Sequence, residues 1–196
     1  MRKILLLLII ILIGIFLRVY LINDFPVQLS PDEVTQVYDA ISIAETGRDI
    51  YGNFLPTMFV SVNDYKPPFY IYITSLIYLF LGNKEIIIRI PGIISGILLI
   101  PLVFIFVLKL LRNEKIAFFS AFITAISPFE IFFSRRSFES LTGIYLMLTG
   151  FIFLIMYAQR KDKMRWIYLG FIFLILAMYT YFSHAIIIPI LLVIFL

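Results

Sequence analysis

Residues 90–108 read IPGIISGILLIPLVFIFVL, nineteen consecutive positions without a charged side chain. A helix advances about 1.5 Å per residue, so this run covers most of the ~30 Å of hydrocarbon in a bilayer. Segments of the same character lie at about 4–22, 116–133, 139–158 and 166–183, and another begins at 185–196. The composition agrees: 62% of the 196 residues are hydrophobic and only 14% charged, with a mean hydropathy of +1.05. A water-soluble domain is excluded on those figures. The fold expected is all-α, a polytopic membrane helix bundle, multi-pass in a cell membrane. Because the last apolar run stops before it is long enough to span, the chain is expected to be the N-terminal part of a larger transmembrane domain.

The charges orient this bundle. The net charge is +4, but the basic residues sit in short loops between apolar runs, where they set topology and do not form a nucleic-acid surface. Arg2-Lys3 precedes Ile4–Leu17, and no small-x-small cleavage site follows, so the first span reads as a retained signal anchor with its start in the cytoplasm. Without cysteine the chain has neither a disulfide framework nor a thiolate metal site.

The first span then delivers a long outer loop, residues 23–89. It is acidic: Asp24, Asp32, Glu33, Asp39, Glu45, Asp49 and Asp64 face only Arg48 and Lys66 between Asn23 and Lys66. Within this loop Phe69–Leu81 is apolar but short. If it crossed the membrane, strict alternation would put Lys109, Arg112 and Lys115, and Arg160, Lys161, Lys163 and Arg165, on the outside, against the positive-inside rule. If it lies along the outer interface, both basic clusters fall in the cytoplasm. The second arrangement is expected, with Tyr65, Tyr70, Tyr72 and Tyr78 holding hydroxyls at head-group level. Arg89, the run Ser134-Arg135-Arg136-Ser137-Phe138-Glu139 and His184 then return to the face that carries the acidic loop. Ionisable groups are costly at a membrane edge, so their convergence marks a candidate site.

Ser30-Pro31-Asp32-Glu33 reads as a helix start, with serine as N-cap, proline in the first turn and acids facing the positive dipole end. That helix should run to about Thr46 and end at Gly47. Dipole stabilisation alone would account for Asp32 and Glu33. Lys66-Pro67-Pro68 places a cation before two rigid residues, and snorkelling to lipid phosphate would account for Lys66 alone. Together an acid and an anchored cation can do more: the acid can take a proton from a hydroxyl and the cation can hold an anionic leaving group.

At these residues the sequence resembles the polyprenyl-phosphate-sugar-dependent glycosyltransferases of the GT-C superfamily, especially protein O-mannosyltransferases and lipid A aminoarabinose transferases. The resemblance lies in Pro31-Asp32-Glu33, Thr46-Gly47, Lys66-Pro67-Pro68, Arg89-Ile90-Pro91-Gly92, Ser127-Pro128 with Ser134-Arg135 and Glu139, and Tyr179-Thr180-Tyr181 before His184. It implies membrane-parallel helices in the first extracytoplasmic loop. It also implies an inverting transfer of a mannose-like hexose or an aminopentose from a polyprenyl-phosphate-linked sugar donor to a hydroxyl or phosphate on a protein, lipid or glycan acceptor. Asp32 would be the general base, with Glu33 supporting it or orienting the acceptor. Lys66 and Arg89 would contact the lipid phosphate, and Arg135 and Glu139 would contact the acceptor or a divalent metal ion. His184 is open between a structural role and a substrate contact. The chain departs from the family in length, since members carry about twice as many helices.

Two other functions fit a membrane bundle. A transporter would place polar residues inside its spans, whereas these charges gather at the outer ends. A non-catalytic scaffold subunit differs in lacking turnover when the acid and the lysine are intact. Gly92 and Gly96 suit close helix packing, and the prolines within spans suit kinks.

Overall fold

The computed structural model describes residues 2–61, 64–82, 85–159 and 164–195. Arg160, Lys161 and Lys163, which enter the charge argument, lie outside the described residues. Nine α-helices are described: α1 (Arg2–Val19), α2 (Pro31–Thr46), α3 (Pro68–Leu81), α4 (Ile90–Leu111), α5 (Glu114–Ile126), α6 (Pro128–Arg135), α7 (Glu139–Gln159), α8 (Arg165–Met178) and α9 (Phe182–Phe195). The helical membrane fold is the one expected, with one addition. Between α2 and α3 a hairpin of β1 (Phe59–Ser61) and β2 (Asp64–Lys66) pairs antiparallel, setting Phe59 opposite Lys66.

By length and composition two helices can cross a membrane, Ile86–Leu111 and Glu139–Gln159, and α5 with α6 makes a third if taken as one bent span. The uninterrupted span expected at 116–133 is broken at Ser127-Pro128, where the two helices diverge by 51°. Proline cannot donate to the preceding turn, and Ser127 Oγ instead accepts from Glu130 N at 3.4 Å to begin α6. The segment expected at 166–183 also divides. Helix α8 stops at Met178, Thr180 N turns back to Ala177 O at 3.1 Å, and α9 starts at Phe182. Helix α1 ends at Val19, shortly before Leu21 takes the left-handed φ of 52°.

The bundle packs through small residues. Helix α7 lies against α8 where Gly150 meets Gly170: a Cβ on Gly150 would stand 2.9 Å from Gly170 O and 2.7 Å from Leu174 Cγ. Gly96 of α4 admits the last turn of α6 in the same way, its added Cβ falling 2.6 Å from Ser134 Cβ. Apolar packing fills in around these contacts, with Leu146, Leu154, Leu174, Ala177 and Ile188 joining α7, α8 and α9. Ile10, Ile100, Ala121 and Ala125 join α1, α4 and α5. Large apolar side chains such as Leu5, Leu8, Leu12, Leu76, Leu79 and Phe80 point outward, as a lipid-facing surface requires.

The loop between α1 and α4 is a separate layer. Helices α2 and α3 pack on each other, with Ala40, Ile43, Phe59 and Ile71 as their core. At fourteen residues α3 measures about 21 Å, short of the bilayer core. Three of its tyrosines spend their hydroxyls inside this layer. Tyr70 donates to Ile88 O at 2.6 Å, Tyr72 to Pro56 O at 2.8 Å and Tyr78 to Glu45 Oε1 at 2.6 Å.

Candidate active site

The start of α2 follows the sequence signal closely. Ser30 and Glu33 form a capping box, with Glu33 N on Ser30 Oγ at 3.3 Å and Ser30 N on Glu33 Oε2 at 2.8 Å. Gly47 closes the helix at φ 70°. The box fixes the two acids in different directions. Asp32 is half exposed and reaches Lys66 Nζ at 3.8 Å, whereas Glu33 is buried. Thr35 Oγ1 meets Ser61 Oγ at 2.8 Å, so the hairpin that carries Lys66 is tied to the helix that carries Asp32.

Lys66 sits among three carboxylates: Asp64 Oδ2 at 3.2 Å, Glu139 Oε1 at 3.4 Å and Asp32 Oδ1 at 3.8 Å. Burial disfavours its ammonium, but Glu139, Asp64 and Asp32 outweigh that and raise its pKa above the ordinary lysine value, so it is charged at neutral pH. Asp64 is held below the usual carboxylate range, first by the Tyr65 N–H it accepts and then by Lys66. Gln36 Nε2 donates to Glu139 Oε2 at 3.2 Å and completes this end.

Glu33 organises a second cluster. Its carboxylate faces Arg89 Nε at 3.5 Å and Arg136 Nη1 at 3.6 Å, and it accepts from Ser137 N at 3.1 Å. The two clusters border one cavity of about 350 Å³, lined by Asp32, Glu33, Asp64, Lys66, Arg136, Ser137, Glu139 and Ser140, with Phe133, Phe138, Tyr181 and Phe182 as its apolar wall.

Of the residues singled out in the sequence, Asp32, Glu33, Lys66 and Glu139 therefore meet, and three do not line the cavity. Arg89 is buried behind Glu33, with its Nη1 on Ile22 O at 3.3 Å. Arg135 caps the end of α1, donating to the carbonyls of Leu17, Tyr20, Leu21 and Phe25 at 2.7–3.1 Å. His184 is buried against Gly143, where an added Cβ would meet its Nδ1 at 2.7 Å. Its neighbours Tyr181 and Phe182 reach the cavity instead.

Sequence reasoning named Arg136 and Asp64 only as members of charged runs, without a role, and did not single out Gln36 or Arg18. Arg136 follows Arg135 directly but leaves the helix in extended conformation, φ −108° and ψ 161°, so neighbouring arginines serve opposite sides. Arg18 is fully buried and donates to Ala125 O at 2.9 Å, Thr124 O at 3.0 Å and Gly14 O at 3.2 Å, capping α5 where Pro128 breaks it. The Gly47–Asn53 stretch is a self-bonded turn: Asp49 Oδ1 accepts from Tyr51 N at 3.0 Å and Asn53 N at 2.8 Å. Asp39 anchors it through Ile50 N at 3.2 Å. Burial first, with Asp49 adding, pushes the Asp39 carboxyl up to about 6.

A divalent metal ion does not fit this donor set. Among the described residues no group of three His, Cys, Asp or Glu side chains can hold one, and the Lys66 ammonium already stands among Asp32, Asp64 and Glu139.

Residues 65–196, two thirds of the chain, match the family model described as dolichyl-phosphate-mannose-protein mannosyltransferase. The chain belongs to this family. It is a GT-C membrane glycosyltransferase family, so the superfamily resemblance holds. Asp32 and Glu33 precede the matched residues, but the fold similarity takes them in. Two structures of the archaeal oligosaccharyltransferase AglB from Archaeoglobus fulgidus superpose on the mannosyltransferase-family chain with a TM-score of 0.73 at 16% identity. One is a complex with an inhibitory peptide and a dolichol-phosphate, and the other is tethered by a disulfide to an acceptor peptide containing the NVT sequon. Each alignment covers 98% of this chain but only 25% and 26% of those chains, so the chain spans about a quarter of their length. No curated protein sequence matches it.

Proposed function

We propose that the chain is the N-terminal part of a multi-pass cell-membrane enzyme that transfers a sugar from a polyprenyl-phosphate donor to a hydroxyl or phosphate acceptor on the outer face. The sugar is a mannose-like hexose or an aminopentose, and the transfer inverts the anomeric carbon. The observation that carries this reading is the pairing of Asp32 with Lys66 at 3.8 Å on one cavity wall. The dolichol-phosphate and peptide bound by AglB are the kind of donor lipid and acceptor this proposal extends to the present chain.

The chemistry needs few parts. The acceptor oxygen forms a bond to the anomeric carbon as the bond from that carbon to the phosphate oxygen breaks, and the bonding pair leaves on the phosphate. The Asp32 carboxylate, half exposed and without a hydrogen bond among the described residues, receives the acceptor proton. Phosphate leaves as a stable anion, so it needs positive charge and no proton; Lys66 and Arg136 are the cations that border the cavity. The aromatic wall of Phe133, Phe138, Tyr181 and Phe182 offers apolar faces to a sugar ring. A single displacement of this kind inverts the carbon, and the oxocarbenium character of its transition state matches that of glycoside hydrolysis.

The test is transfer by the full-length protein in liposomes from a radiolabelled polyprenyl-phosphate sugar. Asp32→Asn should lower kcat by ~10²–10⁴, the usual worth of a general base. Lys66→Ala should also lower kcat. Turnover by Asp32→Asn equal to wild type removes the catalytic assignment.

A further inference from the structure

Helix α7 runs twenty-one residues from Glu139, which borders the outer cavity, to Gln159, about 30 Å away. Helix α4 ends nearby at Leu111. Between the two helix ends lies a pocket of about 600 Å³ lined by Leu108, Lys109, Arg112, Ala158 and Gln159. An ion pair shows which face this is: Lys3, at the start of α1, meets Glu114, two residues after Arg112. The pocket therefore shares a face with Arg2-Lys3, the face that the positive-inside rule assigns to the cytoplasm.

This face is basic. Along the sequence, Arg2-Lys3 with 109–115 and 160–165 hold nine basic residues against Glu114 and Asp162. Orienting helices accounts for most such charges. Lys109 and Arg112 stand apart because they line a recess between two helices. Neither side chain has an ion-pair or hydrogen-bond partner among the described residues, although Lys109 is partly buried. Arg112 also occupies the left-handed cap of α4, φ 53°, where glycine is the usual residue, so its charge stands there against backbone preference.

Deeper in the bilayer the same helices turn apolar. Phe106 and Leu110 of α4, Phe151 and Ile155 of α7, and Leu191 and Ile194 of α9 line a groove of about 270 Å³. Lys109 stands one turn beyond Phe106 and Ala158 one turn beyond Ile155, so pocket and groove adjoin. The stretch from Phe151 to Gln159 measures about 12 Å of helix, close to the ~15 Å of hydrocarbon in one leaflet. Cations at head-group level over a groove of acyl-chain depth match an anionic phospholipid. A soluble anion has no use for the groove, and a neutral lipid none for the cations. The phosphate of the sugar donor belongs at the opposite end of α7 in the reading above.

We propose that this recess binds an anionic phospholipid of the cytoplasmic leaflet, with its phosphate between Lys109 and Arg112 and its acyl chains along the groove of α4, α7 and α9. Basic pockets between spans attract anionic head groups on that side of a membrane. A lipid held there ties the three helices together at the end remote from the outer cavity. The inference is independent of the transfer reaction, and its failure would leave the role of Asp32 untouched.

The experiment titrates full-length protein in neutral detergent with phosphatidylglycerol or phosphatidylcholine and follows the first bound lipid by native mass spectrometry. Wild type should bind phosphatidylglycerol about tenfold more tightly or better. Lys109→Gln with Arg112→Gln should raise that Kd by about twentyfold, near fivefold for each charge lost, and leave phosphatidylcholine unchanged. The pair Lys115→Gln with Arg165→Gln removes equal charge from exposed positions outside the pocket and should stay within about threefold of wild type. Ile194→Trp, at a position 76% exposed, fills the groove and should raise the Kd by about threefold or more. It carries the test should the Lys109 and Arg112 pair misfold. Soluble glycerol phosphate should not compete. Equal losses in the two charge pairs would reduce the effect to general surface charge and overturn the site. So would Ile194→Trp behaving as wild type, competition by glycerol phosphate, or wild type with no preference for phosphatidylglycerol.

Discussion

Asp32 stands half exposed with Lys66 as its ion-pair partner, while Glu33 is buried with the capping box, Ser137 N, Arg89 and Arg136 all drawing on its two oxygens. These adjacent acids should therefore fail differently. Removing the charge of Glu33 leaves two guanidiniums short of their counter-ion in a buried setting, which costs on the order of 3 kcal/mol or more. Asp32 pairs at the surface, where an ion pair is worth about 1 kcal/mol or less. Thermal unfolding in detergent should show Glu33→Gln with a clearly lowered Tm and Asp32→Asn close to wild type. A Tm unaffected by Glu33→Gln would mean that the acid is not the joint between α2 and the Arg136–Ser137 turn. The same contrast explains what the sequence could not separate. Ser30-Pro31-Asp32-Glu33 announces a helix start with two acids, but the box position that sends Glu33 inward matters only because Arg89, Arg136 and Ser137 wait there from more than fifty residues away.

Among the elements, the crossing of α7 and α8 is the most tightly specified. With Gly170 O 2.9 Å and Leu174 Cγ 2.7 Å from where a Cβ would be, Gly150→Ala must push the helices apart. Overpacking of this kind costs about 1–3 kcal/mol. A lowered Tm is expected, and an unchanged one would show a looser crossing. Much at this scale was legible locally: Pro31, Gly47, Pro68 and the apolar run after Arg89 all delimit helices within a residue or two. The breaks were not. An apolar run at 116–133 has the composition of one span, and only the bend at Pro128 shows that Arg18 takes the carbonyls of Thr124 and Ala125 there. Arg135 returns the service by closing α1. An arginine that caps a distant helix carries the same letter as one that borders the cavity, so Arg135 and Arg136 were separable only by backbone direction.

Across the whole molecule, a helical bundle holds a loop layer of α2, the hairpin and α3 against the start of α7. The charged cavity exists only because these three parts close on it, Asp32 and Glu33 from α2, the lysine from β2 and Glu139 with Ser140 from α7. That convergence is the claim on which the enzymatic proposal stands. The 196 residues contain no cysteine, so a pair introduced as Asp32→Cys and Ser140→Cys can be probed against a clean background in intact cells. A membrane-impermeant maleimide should label both positions from outside, a short bifunctional maleimide should join them, and polyprenyl phosphate should protect them. Labelling of either position only after the cells are permeabilised, or two reactive cysteines that no short reagent can bridge, would contradict a shared outer cavity and the mechanism built on it.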